Sequence, residues 1–296
     1  MRYSRVKKNQ TRKRYATFLL VVLLGFGLIY VISAGTLGKF VSNLIQPILS
    51  GKQSIEGEGQ STDTVDPIIT LPDNTNASAA DTAKITDTLN ARALTLFAIQ
   101  MGAFTDEENA KAFSQELKTR GGAGYIFKDE FYRVMAIGFQ SEEDARQVRD
   151  ELKEDEIESH IYKITTAGVD MEITATPENV TEIRSAFEMW EDKYRSMEEI
   201  IVSLDSGAIA PLEAADKIRM LKMEMEQKRD KLQEKNSNQN NNVILAGLVG
   251  LYDDSCQLLD IILSDNTNDK VAISSKIKYT YIEMLMQYKD YMEQIT

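Results

Sequence analysis

A segment beginning at Phe97, FAIQMGAFTDEENAKAFSQELK, is echoed about 35 residues later by one beginning at Tyr132, YRVMAIGFQSEEDARQVRDELK. Laid over each other without gaps, Phe104 meets Phe139, Glu107-Glu108 meets Glu142-Glu143, Ala110 meets Ala145, and Glu116-Leu117-Lys118 meets Glu151-Leu152-Lys153. A duplicated unit constrains the fold strongly, because both copies must find equivalent places around one core.

Each copy has the same internal order. Phe97, Ile99 and Met101 alternate with Ala98 and Gln100, the period of a half-buried strand. Thr105 or Asp106 then caps a helix with acidic residues in its first turn, where the helix dipole favours them. Ala110, Phe113 and Leu117 form that helix's inner stripe. The second copy repeats the pattern with Tyr132, Val134 and Ala136, a cap at Ser141, and Ala145, Val148 and Leu152. Two further strand-like runs, Ala123–Lys128 and Ile157–Ile164, complete a strand-helix-strand-strand-helix-strand order. This is the split βαβ, RNP-like arrangement, with both helices on one face of a four-stranded antiparallel sheet. The other face is the natural binding platform. Phe97, Ile99, Met101, Tyr132, Val134 and Ala136 are expected to face the helices, and Ala98, Gln100, Arg133 and Met135 the platform, since burying Arg133 under the helices would be costly. The pairs Tyr125/Phe127 and His160/Tyr162 each share a face, which the sequence leaves open.

The run Gln100-Met101-Gly102-Ala103-Phe104, the later Tyr132-Arg133-Val134, and Phe139 with Ala145 downstream resemble the SPOR (sporulation-related repeat) domain pattern over about 70 residues. Many members of that family have glycine at the position of Ile137; here the glycine comes one later, as Gly138. The resemblance implies a bitopic bacterial envelope protein. It implies binding to peptidoglycan glycan strands from which amidases have removed the stem peptides, and gathering at division or sporulation septa. Gln100, Arg133, Met135 and Tyr125 are the candidate glycan-binding residues. Gln100 offers a donor and an acceptor for amides and hydroxyls. Arg133 offers bidentate hydrogen bonds to a lactyl carboxylate, unless Asp129 or Glu130 already holds it. Tyr125 offers a ring to a sugar face, unless it lies in the core.

The rest of the chain reads as follows. Residues 1–14 carry seven Lys and Arg and no acid, followed by Tyr15–Ala34, YATFLLVVLLGFGLIYVISA, with no charge. Twenty helical residues span about 30 Å, a bilayer core. The expectation is a transmembrane helix over 15–35, with its basic flank cytoplasmic and the remainder extracytoplasmic. Small residues at Ser33, Ala34 and Gly35 leave signal cleavage open, although the run exceeds the roughly 7–15 residues of a signal-peptide core. Residues 36–92, rich in Gly, Ser, Thr, Asp and Asn, read as a flexible linker. Residues 93–166 hold the SPOR-like domain.

Residues 177–296 read as an all-α bundle of four helices: Glu178–Leu204, Pro211–Lys235 (with Leu212, Ala215, Ile218, Leu221 and Met225 inward), Val243–Leu263 and Lys270–Gln294. The fold class is thus α+β. A net charge of −12 argues against nucleic acid. The single cysteine, Cys256, and the single histidine, His160, give no metal-site spacing. No cofactor or metal is expected, and binding rather than catalysis is. The helical bundle is expected to serve a protein partner or self-association.

Overall fold

The computed structural model describes residues 84–237, 243–264 and 268–296. The basic tail, the expected transmembrane helix and most of the expected linker lie outside the described residues. Among those described, no helix is long and apolar enough to cross a membrane.

Within the described residues, six strands and six helices follow in order: β1 (Ile85–Ala91), β2 (Thr95–Phe104), α1 (Glu107–Thr119), β3 (Tyr125–Lys128), β4 (Tyr132–Phe139), α2 (Glu142–Glu154), β5 (His160–Thr165), β6 (Val169–Ala175), α3 (Pro177–Asp205), α4 (Pro211–Ser237), α5 (Val243–Leu263) and α6 (Lys270–Ile295). The duplicated unit folds as its pattern predicts. The four-stranded sheet has the order β3-β4-β2-β5, all neighbours antiparallel. Asp106 and Ser141 cap α1 and α2 by accepting from the amides of Asn109 and Asp144. Each cap satisfies an amide that has no partner within its helix. Ala110 and Leu117 on α1, and Ala145, Val148 and Leu152 on α2, are buried against the sheet.

The central pair β2–β4 departs from simple alternation. Ile99 pairs with Ile137, Gln100 with Met135, and Gly102 with Val134, so Ala136 and Met101 are each left out of the ladder. The two skipped residues are equivalent positions of the repeat, 35 residues apart. Duplication has therefore placed one bulge in each central strand. Met101 and Ala136 were expected to alternate onto the helix side; as bulged residues they leave the two-residue period, and Gly102 and Ile137 continue it. Phe104 then falls on the helix side, its ring 5.5 Å from that of Phe113. The displaced glycine has a use as well. A Cβ on Gly138 would sit 2.7 Å from the Leu96 side chain across the ladder. Gly138→Ala is expected to cost about 1–3 kcal/mol through overpacking, read as a lower midpoint in urea.

Part of the expected linker is structured. Ile85–Ala91 pairs antiparallel with Val169–Ala175 in a two-stranded sheet, Ile85 opposite Ala175 and Ala91 opposite Val169. Leu89 and Ala91 are buried with Val169, Met171, Ile173 and Ala175. The ribbon docks on α3, where Arg184 donates to Asp87 at 2.7 Å and its Nη2 lies 3.2 Å from the Thr88 carbonyl. The ordering of residues 85–91 comes from this partner strand, about 80 residues later, and not from their own composition.

The bundle forms as expected, with α4 neighbouring α3 and α5, and α6 neighbouring α3 and α5. Of the residues expected inward, Ile218, Leu221 and Met225 are buried, but Leu212 is exposed and Ala215 only half-buried, and Ala214 takes the buried place in that turn. Aromatic rings join α3 to α6. Tyr194 stacks on Tyr281 at 4.4 Å, Trp190 on Tyr288 at 4.5 Å, and Phe187 on Tyr291 at 5.9 Å.

The bundle and the sheet domain are not independent. Lys278 of α6 donates to the Gly121 carbonyl and Ser275 to that of Gly122, at 2.9 and 2.8 Å. Gln140, just after β4, donates through Nε2 to Glu198 of α3 and contacts the Tyr281 hydroxyl, which donates to Glu198 in turn. Burial holds the Glu198 carboxyl above the usual carboxylate range, against the hydrogen bonds from Gln140 and Tyr281. A carboxyl whose folded pKa is raised loses stability as pH rises from its unfolded value through its folded one. Glu198→Gln is therefore expected to gain melting temperature relative to the parent as pH rises from about 4 to 7.5; a gap independent of pH would refute this.

Candidate functional site

The face of the sheet away from α1 and α2 is only partly open. The register puts Gln100, Met135 and Tyr125 side by side across β2, β4 and β3, with Arg133 opposite Phe127 one step along. Tyr162 and His160 join this face from β5, opposite Ala98 and Gln100. The faces left open by the sequence are thereby settled: Tyr125, Phe127, His160 and Tyr162 all lie on the platform side. The helix α6 packs against β3 and β4. Tyr125 rests its ring on Tyr279 of α6 at 5.2 Å and is 8% exposed, and Met135 is 0% exposed. Burial pushes the Tyr125 hydroxyl far above its ordinary pKa. Both residues were candidates for glycan contact. The structure instead gives them to the seam between sheet and bundle, because the C-terminal helices bury the end of the platform on which they stand.

At the other end a polar and aromatic cluster remains accessible. Arg133 is its centre. Its Nε donates to Asp129 at 2.7 Å and its Nη1 to the Gln100 amide oxygen at 3.0 Å. Its guanidinium lies 4.9 Å from the ring centre of Tyr162 and 5.4 Å from that of Phe131. Tyr162 donates its hydroxyl to the same Asp129 at 3.0 Å, and its ring meets Phe127 at 5.4 Å. Asp129 also accepts from the Phe131 amide at 2.8 Å. These bonds favour the ionised carboxylate. The Phe131 amide first, then Arg133, lower the Asp129 pKa to about 2. The Arg133 pKa is raised, chiefly by its bond to Asp129.

Two of the candidate residues, Gln100 and Arg133, are thus brought together by a direct hydrogen bond. Gln100 is 6% exposed and acts mainly by holding Arg133. Asp129 takes the place that a glycan carboxylate was expected to take on Arg133. The cluster is close to neutral, with one guanidinium against one carboxylate. It offers the outer edge of the Arg133 guanidinium, carboxylate lone pairs on Asp129, and the rings of Phe127, Phe131 and Tyr162. Such a set suits hydroxyl and acetamido groups on a sugar better than it suits an isolated anion. Asp129, Phe131, Phe127 and Tyr162 were not among the candidates. Period-two alternation from Arg133 back across the turn would have found Phe131, Asp129 and Phe127; Tyr162 comes from β5, whose face only the pairing with β2 settles.

Residues 93–163 match the family model of the SPOR domain. This segment is a SPOR domain. No curated protein and no solved structure is similar to the chain at a significant level. The match begins just before β2 and ends within β5, so it covers the four-stranded sheet with α1 and α2, and leaves out the β1–β6 ribbon and the bundle. SPOR domains bind peptidoglycan and generally direct proteins to the septum. In this SPOR domain the sheet face carries the Arg133–Asp129–Tyr162 cluster at one end and the C-terminal helices at the other.

Proposed function

We propose that this chain is a membrane-anchored envelope protein without catalytic activity, which binds denuded glycan strands through the exposed end of its SPOR sheet. Tyr15–Ala34 serves as the anchor and the basic tail stays in the cytoplasm. The rest of the chain lies outside the membrane and gathers at division or sporulation septa. The observation that carries the binding reading is the cluster of Arg133, Asp129 and Gln100 framed by Phe127, Phe131 and Tyr162, at the one end of the platform that the bundle leaves accessible. Stripped glycan exposes sugar faces and acetamido groups that stem peptides otherwise crowd.

The test is sedimentation of the purified full chain with sacculi. Arg133→Glu reverses the central charge beside Asp129 and is expected to weaken binding at least tenfold. Tyr162→Ala removes one ring and one of the bonds that hold Asp129, and is expected to weaken binding about three- to tenfold, by analogy with exposed stacking contacts of about 0.5–1.5 kcal/mol. Binding unchanged in both variants would move the site elsewhere.

A second reading is a self-associating scaffold acting through the bundle. It is favoured by Leu212, Met220 and Met223, which are exposed on α4. Their spacing places them along one side of that helix. Sedimentation velocity across a hundredfold concentration range separates the two, since the first reading needs no change in mass.

A further inference from the structure

A cleft of about 440 Å³ opens at the β5 edge, lined mainly from the side of the sheet that α2 covers. It is lined by Phe97, Glu142, Arg146, Arg149, His160, Ile161 and Lys163. Three permanent cations therefore face one carboxylate, in a chain whose net charge is −12. The fold builds this concentration of charge. Glu142, Arg146 and Arg149 stand at helical spacing on one side of α2. Lys163 and Ile161 come from alternate positions of β5 and pair with Phe97 and Ile99 of β2, which puts them on the side of the sheet that α2 covers.

The existing partners of these cations are weak competitors. Arg146 pairs with Glu142 at 2.6 Å and Arg149 with Asp150 at 2.7 Å, all four side chains more than a third exposed. Surface pairs of this kind contribute little, and their partners exchange readily. Lys163 lies over the Phe97 ring at 5.9 Å and makes no ion pair among the described residues. Two arginines and a lysine converging on one cleft form a receptor for an oxyanion, with forked donors that match carboxylate or phosphate oxygens. Phe97 and Ile161 supply an apolar floor for the carbon skeleton that bears the anion.

We propose that this cleft is a second binding site, separate from the platform, for the carboxylate or phosphate group of an anionic cell-wall polymer. The choice of a wall polymer rests on the extracytoplasmic placement proposed above; the anion chemistry does not. His160 links the two sites in space. It is exposed, it lines the cleft, and it pairs with Gln100 of the platform across β2 and β5. A polymer crossing the platform could therefore turn around the β5 edge and engage both.

His160 is the only histidine of the chain, so its ring C–H signals form a site-specific probe. The full chain, in uncharged detergent and labelled at histidine, is titrated at fixed pH and ionic strength with inorganic phosphate and, separately, with N-acetylmuramic acid. The expected result is a saturable shift of the His160 signal with at least one of the two. In Arg146→Ala/Arg149→Ala, whose side chains are exposed and whose removal leaves the core intact, apparent affinity should fall at least fivefold. Tighter binding of phosphate points to a phosphodiester polymer, and tighter binding of N-acetylmuramic acid to the glycan's own lactyl carboxylates. A linear drift equal in parent and double variant, or no shift with either anion, overturns the proposal. Sacculus binding through Arg133 is a separate readout, so either site can fail without the other.

Discussion

Replacing Lys278 by alanine is expected to destabilise the protein by roughly 3–5 kcal/mol, the usual loss when one partner of a buried ion pair is removed. The side chains of Lys278 and Asp205 are both 0% exposed, with Nζ 2.5 Å from the carboxylate. Ser274 donates to the other carboxylate oxygen and Lys270 to the Asp205 backbone carbonyl. Burial lowers the Lys278 pKa, and the charge of Asp205 opposes that shift. The same ammonium donates to the Gly121 carbonyl, so the substitution both strands Asp205 in the core and removes one of the two bonds that tie the α1–β3 turn to α6. Urea unfolding gives the magnitude, and amide exchange at Gly121 and Gly122 gives the location. The double substitution Lys278→Met/Asp205→Leu should recover much of the loss, because it leaves no charge buried alone. A loss below about 1 kcal/mol in the single variant would mean that water reaches the pair, and that the seam between bundle and SPOR domain is looser than described.

Trp190→Ala is expected to cost a similar amount, roughly 3–5 kcal/mol, for a different reason. Trp190 lies wholly inside the bundle, its ring between Tyr194 at 5.5 Å and Tyr288 at 4.5 Å. Its Nε1 donates to Ser255, which itself donates to the Leu251 carbonyl. Alanine would open a cavity at the centre of the α3–α6 ladder, leaving Tyr288 without its stacked ring and Tyr194 with Tyr281 alone. Trp190→Phe keeps most of the stacking but deletes the donor to Ser255, and should cost less, about 1–3 kcal/mol. Near-UV circular dichroism and calorimetry measure both variants. Equal losses would assign the residue's contribution to its hydrogen bond and not to its ring.

These two sites show where the sequence was informative and where it was not. The stripe Val180, Ile183, Phe187, Trp190, Tyr194, Met197 and Ile201 announces a buried helix face by spacing alone, and every one of these residues is buried. The caps at Asp106 and Ser141 and the duplicated sheet were legible for the same reason: each is a local pattern with a local cause. Lys278 was not. A lysine amid KIKYTYIE looks like solvated polarity until its partner, more than 70 residues earlier, is brought beside it. Strands β1 and β6 were missed on similar grounds. ITDTLNA offers only Leu89 and Ala91 as buried residues, too little to signal a strand whose support comes from a distant segment.

The site was half legible. Alternation put Gln100 and Arg133 on the platform, and the repeat gave the strands that carry them. Alternation cannot show what lies above a sheet. Met135 and Tyr125 occupy the predicted face, yet α6 closes over that end, a tertiary fact that no strand pattern encodes. The pairing of Arg133 with Asp129 follows from the turn at Asp129–Phe131, which brings a carboxylate four residues away back onto its own strand's guanidinium.

The central claim is recognition of stripped glycan by the accessible end of the SPOR sheet. Its most direct test is sedimentation of the purified full chain with sacculi before and after amidase digestion, in parallel. Binding that rises severalfold when the stem peptides are removed is the predicted result. Equal binding to both forms, or none to either, would contradict it.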